Sequence, residues 1–178
     1  GTFDEYLVSK LLLQPDEIKP RESKKIWESF QYKFMLNDGV IHYYKFYKEG
    51  IKSLYRKAIS EGINIVEIRH ASGILFNDDQ EFLTYQEEFD LYQETIDEIR
   101  QENENFEFRV IVVAFKVMGK EAVRKQLESY QYAMDHNYTF VTGFDLVNEE
   151  DYTEPIVDFV DDMLKAKEGY PDFNFYFH

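Results

Sequence analysis

Short runs of β-branched and aromatic residues alternate with longer amphipathic segments along this chain, and that alternation limits the folds it can adopt. The run at 110–114 is apolar at every position, which is typical of a strand buried on both faces of a parallel sheet. Comparable runs lie at 63–69, 140–147 and 173–177, and amphipathic segments such as 85–99 separate them. This order of strands and helices predicts an α/β fold with a parallel sheet.

The same pattern leaves two architectures open, a doubly wound sheet and a (β/α)8 barrel. No glycine-rich phosphate loop follows any predicted strand, so a nucleotide-cofactor domain lacks its usual motif. The predicted strand 173–177 leads only to His178, with no helix to cover it, which favours part of a barrel. We expect one domain, with residues 1–23 as an N-terminal helix and a loop containing Pro15 and Pro20, and residues 24–178 as a barrel segment.

Charge and cysteine content disfavour several classes of function. A formal net charge of -15 argues against nucleic acids and anionic membranes as partners, because both are bound through clusters of Lys and Arg. The chain contains no cysteine, so any metal site must be built from His and carboxylates. We therefore expect no nucleic-acid or membrane partner, whereas a neutral or cationic small molecule is compatible with the charge.

Four short segments resemble the adenosine deaminase family of the growth-factor type, in the same order and spacing. The segment VTGFDLVNEED at 141–151 is similar to the family's G-F-D-L-V-G-x-E-D, and FYFH at 175–178 resembles the start of its y-F-F-H-A-G-E. The segment NIVEIR at 64–69 resembles a strand ending in E-I-R, and 25–43 resembles the stretch W-x-x-F … G-l-i-x-Y. Nearly all of the chain from 24 onward is covered.

The resemblance implies both a fold and an activity. The fold would be a partial (β/α)8 TIM barrel of the metal-dependent hydrolase type, to which this chain contributes about strands two to five. The activity would be zinc-dependent hydrolytic deamination of adenosine or 2′-deoxyadenosine to inosine or 2′-deoxyinosine. The chain would then be an internal fragment of its parent enzyme and inactive alone, since the family's His-x-His pair and its Ala-Gly-Glu match no residues here.

By the same resemblance His178 is the metal ligand of this chain, and it follows a predicted parallel strand, where barrel enzymes place functional groups. A catalytic zinc takes about three protein ligands and keeps one position open, so a single histidine is not a complete site. We expect no catalytic residue within the chain, because the family's general acid would lie past His178. The other histidines, His42, His70 and His136, lack a mutual metal spacing and are expected to be surface or hydrogen-bonded residues.

Three residues are implied to border the substrate, namely Trp27, Asp145 and Asn148. Trp27 would wall the nucleoside pocket, although its spacing equally suits packing on Phe30. Asp145 would orient His178, as a carboxylate behind a metal-bound histidine does, or else serve in a helix cap or loop. Asn148 stands where the family has a glycine whose backbone N–H meets the purine, and asparagine tolerates positive φ better than most residues.

Two further positions bear on these expectations. Glu67 and Arg69 are two residues apart and point the same way on a strand, which predicts an ion pair between them. Lys116 falls where some family members have a histidine near the substrate. Together with Asn148, this departure leaves open a deaminase-like growth factor that acts as a binding module and has lost catalysis. A third alternative keeps the enzyme but changes its substrate to adenine or AMP.

The remaining expectations concern location and association. The resemblance implies an extracellular protein, while a chain without cysteine is equally suited to the cytosol. Half a barrel leaves two strand edges unpaired, and unpaired edges invite pairing between chains. We therefore expect the chain to associate with the remainder of its barrel or with copies of itself.

Overall fold

A three-stranded parallel sheet organises the computed structural model, which describes residues 1–19 and 23–178. The strands are β1 (Ile65–His70), β2 (Glu107–Phe115) and β3 (Val141–Val147), and they lie side by side in that order. Both neighbouring pairs are parallel. The carboxyl ends of the three strands therefore meet at one edge of the sheet.

Backbone pairing fixes which side chains share a face of the sheet. Arg69 of β1 is level with Ile111 of β2, and Ile111 is level with Gly143 of β3. Further along, Val113 is level with Asp145. Because successive side chains on a strand point to opposite faces, these five residues belong to a single face.

Helices make up most of the rest: α1 (Phe3–Leu11), α2 (Pro15–Ile18), α3 (Ser23–Met35), α4 (Asp38–Ile41), α5 (Tyr44–Ser60), α6 (Tyr85–Glu102), α7 (Gly119–Asp135) and α8 (Val160–Glu168), with 3₁₀ turns at Lys116–Met118 and Ile156–Phe159. Local signals explain where some of them begin. Thr84 and Glu87 form a capping box at the start of α6, in which each side chain bonds the other residue's backbone N–H. Thr2 and Glu5 form the same arrangement at α1.

Four helices cover one face of the sheet. The main core lies between that face and α5, α6, α7 and α8, and its buried side chains include Tyr55, Phe89, Phe108, Val110, Val112, Leu127, Phe144 and Met163. The opposite face carries only a small buried cluster of Ala71, Ile111 and Val113 among the described residues. A sheet with helices on one side and a second, inward face is the arrangement expected for part of a barrel.

The fourth predicted strand, at 173–177, is wrong in extent. In this segment Phe175 makes a single parallel bridge, to Phe144 of β3, as far as the described residues show. Two backbone hydrogen bonds hold it: Phe144 N–H donates to the carbonyl of Asn174 at 2.9 Å, and Tyr176 N–H donates to the carbonyl of Phe144 at 2.9 Å. Beyond Tyr176 the contact with β3 passes to side chains, so the segment 174–178 runs beside β3 without forming a regular ladder.

The N-terminal part of the chain lies outside the core. Helices α1, α2 and α3 contain no buried residue, and large apolar side chains such as Phe3 and Phe34 are exposed there. The helix predicted within 1–23 is present. Pro15, predicted in the following loop, instead begins the short helix α2, because proline suits the first turn of a helix, where its missing N–H costs nothing. Pro20 falls outside the described residues. Within the described part of the chain, no helix is both long and apolar enough to cross a membrane.

Candidate functional site

A buried carboxylate joins a strand end to the C-terminal segment at the carboxyl edge of the sheet. Asp145 on β3 is completely buried. Its Oδ2 accepts a hydrogen bond from Arg69 Nε at 2.8 Å and lies 2.6 Å from Nδ1 of His178. The structure therefore brings together a cation from β1, a carboxylate from β3 and the histidine that the sequence singled out.

Hydrogen-bonding capacity fixes the state of the His178 ring. An ionised carboxylate only accepts hydrogen bonds, so Nδ1 of His178 must carry the hydrogen that Asp145 receives. In a neutral imidazole this leaves Nε2 with a free lone pair. A carboxylate that holds one ring nitrogen while the other binds a metal is a recurrent arrangement behind metal-ligating histidines.

The second oxygen of Asp145 is an orphan. Oδ1 is buried and has no hydrogen-bond partner among the described residues, although buried polar atoms are nearly always paired. His Nε2 and a carboxylate oxygen are both donors that zinc accepts, so His178 and Asp145 suit part of a zinc site. In the described chain, no group of three or more His, Cys, Asp or Glu side chains could hold a metal ion. These two residues therefore provide part of such a site only.

The predicted pair between Glu67 and Arg69 is not formed. Arg69 binds Asp145, and Glu67 instead accepts a hydrogen bond from the Thr142 hydroxyl at 3.4 Å. The reason lies in burial, since Glu67 is exposed and solvated while Asp145 is buried. An unpaired charge costs far more inside the protein than at its surface, so the guanidinium goes to the buried carboxylate.

Asn148 and Lys116 tie the loop after β3 to the end of β2. Asn148 has φ +108°, in the region that favours glycine, and its Oδ1 accepts from Val117 N–H at 3.4 Å. Lys116 is buried, and its Nζ lies 2.6 Å from Oε1 of Glu150, which is 69% exposed. Asn148 and Lys116, the two residues that depart from the family's pattern, thus both connect the loop after β3 to the 3₁₀ turn after β2.

Trp27 lies half-buried in an aromatic row on α3. Its ring centroid is 5.6 Å from that of Phe30, and Phe30 is 4.8 Å from Phe34. This is the packing that the sequence offered as the alternative to a pocket wall. At the start of the same helix, the Ser23 hydroxyl contacts the Tyr152 hydroxyl in the loop after β3. The helix that carries Trp27 therefore begins beside the loop that carries Asn148.

Sequence reasoning missed a buried polar network at the end of β1. Nδ1 of His70 bonds the Tyr47 hydroxyl at 2.9 Å, and Nε2 contacts Glu88, which is completely buried. Glu88 also accepts from Gly73 N–H at 2.9 Å. Burial raises the pKa of Tyr47 far above its ordinary value. His70 is hydrogen-bonded, as expected, and the overlooked signal was a glutamate within the apolar stripe of α6, one position before Phe89.

Known proteins support the resemblance. No family profile matches the chain. It is 23% identical over 161 residues to an adenosine deaminase of Phlebotomus duboscqi and 23% identical over 159 residues to one of Lutzomyia longipalpis, covering 90% and 89% of this chain. It spans about a third, 31%, of the length of both relatives.

Among solved structures, the crystal structure of Arabidopsis ADAL complexed with IMP has a TM-score of 0.64 and 12% identity, covering 99% of this chain and 48% of that one. This likeness concerns the fold, and it confirms the expected α/β arrangement of a partial barrel with parallel strands and flanking helices. The two curated relatives named adenosine deaminase agree with the resemblance of the four sequence segments to that family.

Proposed function

We propose that the protein containing this chain deaminates adenosine or 2′-deoxyadenosine hydrolytically with the help of zinc. The observation that carries the proposal is the contact between Asp145 and His178 at the carboxyl edge of the sheet, 2.6 Å long. Barrel enzymes place their reactive groups at this edge. The relatives named adenosine deaminase supply the reaction class.

His178 is the proposed zinc ligand, through Nε2. Asp145 holds the ring by its Nδ1 hydrogen, so that the ring need not reorient when metal binds. Arg69 compensates the charge of the buried carboxylate. When bound, zinc supplies Lewis-acid activation of the water that replaces the amino group of the purine. The remaining ligands and the general acid are proposed to come from outside this chain.

The proposed substrate contacts are the backbone N–H of Asn148 and the indole of Trp27. Asn148 adopts the positive φ that the family's glycine would allow, which supports an unaltered backbone at that point. Lys116 and Glu150 hold the same loop against β2. A purine pocket is also in keeping with the solved relative, ADAL, whose structure is complexed with IMP.

The 178-residue chain on its own is proposed to be inactive. A catalytic zinc requires about three protein ligands, and among the described residues no group of three or more His, Cys, Asp or Glu side chains could hold a metal ion. The purified chain and the full-length protein are each mixed with adenosine and zinc, and the absorbance change from adenosine to inosine is followed. Turnover by the full-length protein that is lost with chelator and restored by zinc supports the proposal.

Three outcomes would contradict parts of it. Chelator-sensitive turnover by the short chain would show that the catalytic residues are misplaced. A folded full-length protein that binds adenosine but never releases ammonia would favour the binding module that has lost catalysis. AMP and adenine, tested in parallel, decide between the substrate alternatives, since deamination of either in preference to adenosine would overturn the nucleoside assignment.

A further inference from the structure

The ring of Tyr176 lies directly over Gly143 on the inward face of β3, in the space that a side chain at position 143 would take. A Cβ atom built on Gly143 would lie 2.2 Å from Cδ2 and 2.4 Å from Cε2 of Tyr176, well under the 3.0 Å that real Cβ atoms keep. Gly39, Gly50 and Gly169, by contrast, have no neighbour within 4 Å of such a Cβ. Gly143 is therefore the position in β3 where even a methyl group is excluded by a ring.

This contact lies beside the candidate zinc ligand. Gly143 and Asp145 are two residues apart on one face of β3, and Tyr176 and His178 are two residues apart on the segment beside it. The bridge between Phe144 and Phe175 makes both contacts diagonal, each reaching two residues ahead on the neighbouring segment, and they follow one another along the same face about 6.6 Å apart. In the first contact the ring of Tyr176 covers Gly143, and in the second Nδ1 of His178 meets Asp145 at 2.6 Å.

We propose that Gly143 is a positioning residue, because the space above it receives the Tyr176 ring and thereby sets His178 against Asp145. Among the described residues, two backbone hydrogen bonds, both to Phe144, tie the segment to β3, and Asn174 Nδ2 adds a long bond of 3.5 Å to the carbonyl of Thr142. The buried Phe173 and the ring of Phe175 pack on Phe144 before Tyr176, so the contacts of Tyr176 decide how the last residues continue. Register is weakly specified where a ladder is short, and a shifted strand presents different side chains to its neighbour. That Gly143 matters for zinc binding rests on the proposed function. That Gly143 places His178 against Asp145 does not.

Alanine at 143 would expel the ring. Tyr176 N–H is bonded to the carbonyl of Phe144, so the ring can leave only by changing its rotamer or by moving this backbone. Either movement changes the segment two residues before His178. Nδ1 of His178 would then lose Asp145, and the imidazole would exchange between its two tautomers.

The test follows the tautomer of His178 in the histidine-labelled chain by ¹H–¹⁵N NMR, with His178→Ala identifying the signals among the four histidines. The wild type is expected to show the Nδ1–H tautomer. Gly143→Ala should abolish this preference, while Gly50→Ala, in open space on α5, should retain it. Tyr176→Phe keeps the ring and should retain it too, whereas Tyr176→Ala should weaken it.

The decisive comparison is the double variant Gly143→Ala/Tyr176→Ala. With the ring gone, alanine at 143 should change the tautomer no further than Tyr176→Ala alone does. An equal effect of alanine in both backgrounds, or an unchanged tautomer in Gly143→Ala, would overturn the proposal. Should Gly143→Ala fail to fold, a folded double variant supports the steric cause and an unfolded one contradicts it. None of these readouts requires deamination, so a failure of the proposed function is seen separately in the turnover assay.

Discussion

Arg69 on β1 reaches across β2 to Asp145 on β3, and its Nε lies 2.8 Å from Oδ2 of that buried carboxylate. The two strands are not neighbours in the sheet, so this ion pair spans its whole width. The same oxygen of Asp145 also contacts Nδ1 of His178 at 2.6 Å. The stability and the site of this protein are therefore linked through one carboxylate.

Replacing Arg69 with Met should destabilise the fold by about 1–3 kcal/mol, because a buried carboxylate then loses its cation. The guanidinium is 43% exposed, which keeps the expected loss at the low end of that range. Arg109→Met is the matched control, since Arg109 is similarly exposed and pairs with the half-exposed Glu107 at 2.7 Å. Urea unfolding should show a change within about 0.5 kcal/mol for the control. Equal losses in both variants would contradict the special role of Arg69.

The pair of Lys116 and Glu150 should respond asymmetrically to mutation. Glu150→Gln leaves a buried ammonium without its carboxylate and is expected to cost about 1–3 kcal/mol. Lys116→Met replaces the buried cation with an apolar chain of similar size and should cost less, or even stabilise. In the Lys116→Met background, Glu150→Gln should change the free energy of unfolding by no more than about 0.5 kcal/mol. A similar cost of Glu150→Gln in both backgrounds would show that the ion pair is unimportant.

Asn148 should prefer glycine to alanine. Both substitutions remove the bond from Val117 N–H, but only alanine carries a Cβ at φ +108°, so Asn148→Ala should be less stable than Asn148→Gly by about 1–2 kcal/mol. Asn137, at φ 60° after α7, provides the comparison away from the site and should show the same difference. In the full-length protein, Asn148→Gly should retain deamination. A loss of activity on restoring the family's glycine would refute the proposed purine contact.

Glu98 on α6 should make stability depend on acid pH. Hydrogen bonds from Lys52 and then Lys48 on α5 lower the pKa of Glu98 below its usual range, against the opposing effect of partial burial. A lowered pKa in the folded state stabilises the protein above the unfolded value of about 4.3, and this contribution is lost as pH falls through the folded value. Glu98→Gln should therefore cost up to about 1 kcal/mol at pH 7, with the difference from wild type vanishing in acid. Urea titrations from pH 7 to 3 measure this difference. The control is Glu104→Gln, at an exposed residue beyond α6, whose free energy of unfolding should stay close to that of the wild type throughout.

The free edge of β1 should promote association of the chain. Within the described residues β1 pairs with β2 alone, and Ile65 on this strand is 54% exposed. Sedimentation over a concentration series is expected to show self-association that Ile65→Lys weakens, because a charge on an edge strand opposes pairing. Val157→Lys, at an exposed apolar residue outside the sheet, should leave association unchanged. A chain that stays monomeric at all concentrations would contradict this expectation.

Periodicity and local signals were enough to predict the parallel strands and the helices between them. The apolar run at 110–114 indicated a strand buried on both faces, and it became the centre of the sheet. The same pattern predicted that the strand ends carrying Asp145 and His178 would meet, whereas the roles of these residues at a zinc site stay predictions. Asp145 follows an apolar strand start and His178 follows another strand-like run, so parallel strands were bound to bring both to one edge.

Only the tertiary structure decided which of these groups pair. Arg69 binds Asp145, 76 residues away, and not Glu67, two residues away. The reason is that Asp145 is buried, and a buried carboxylate without a partner costs more free energy than an exposed one. The sequence likewise gave no sign that the ring of Tyr176 lies over Gly143 or that Lys116 is buried. A repeat of side chains along the chain determines the face on which each residue lies. Which partner a side chain binds depends on its distance to residues of other segments and on how far each is buried. Both are set only when the chain has folded.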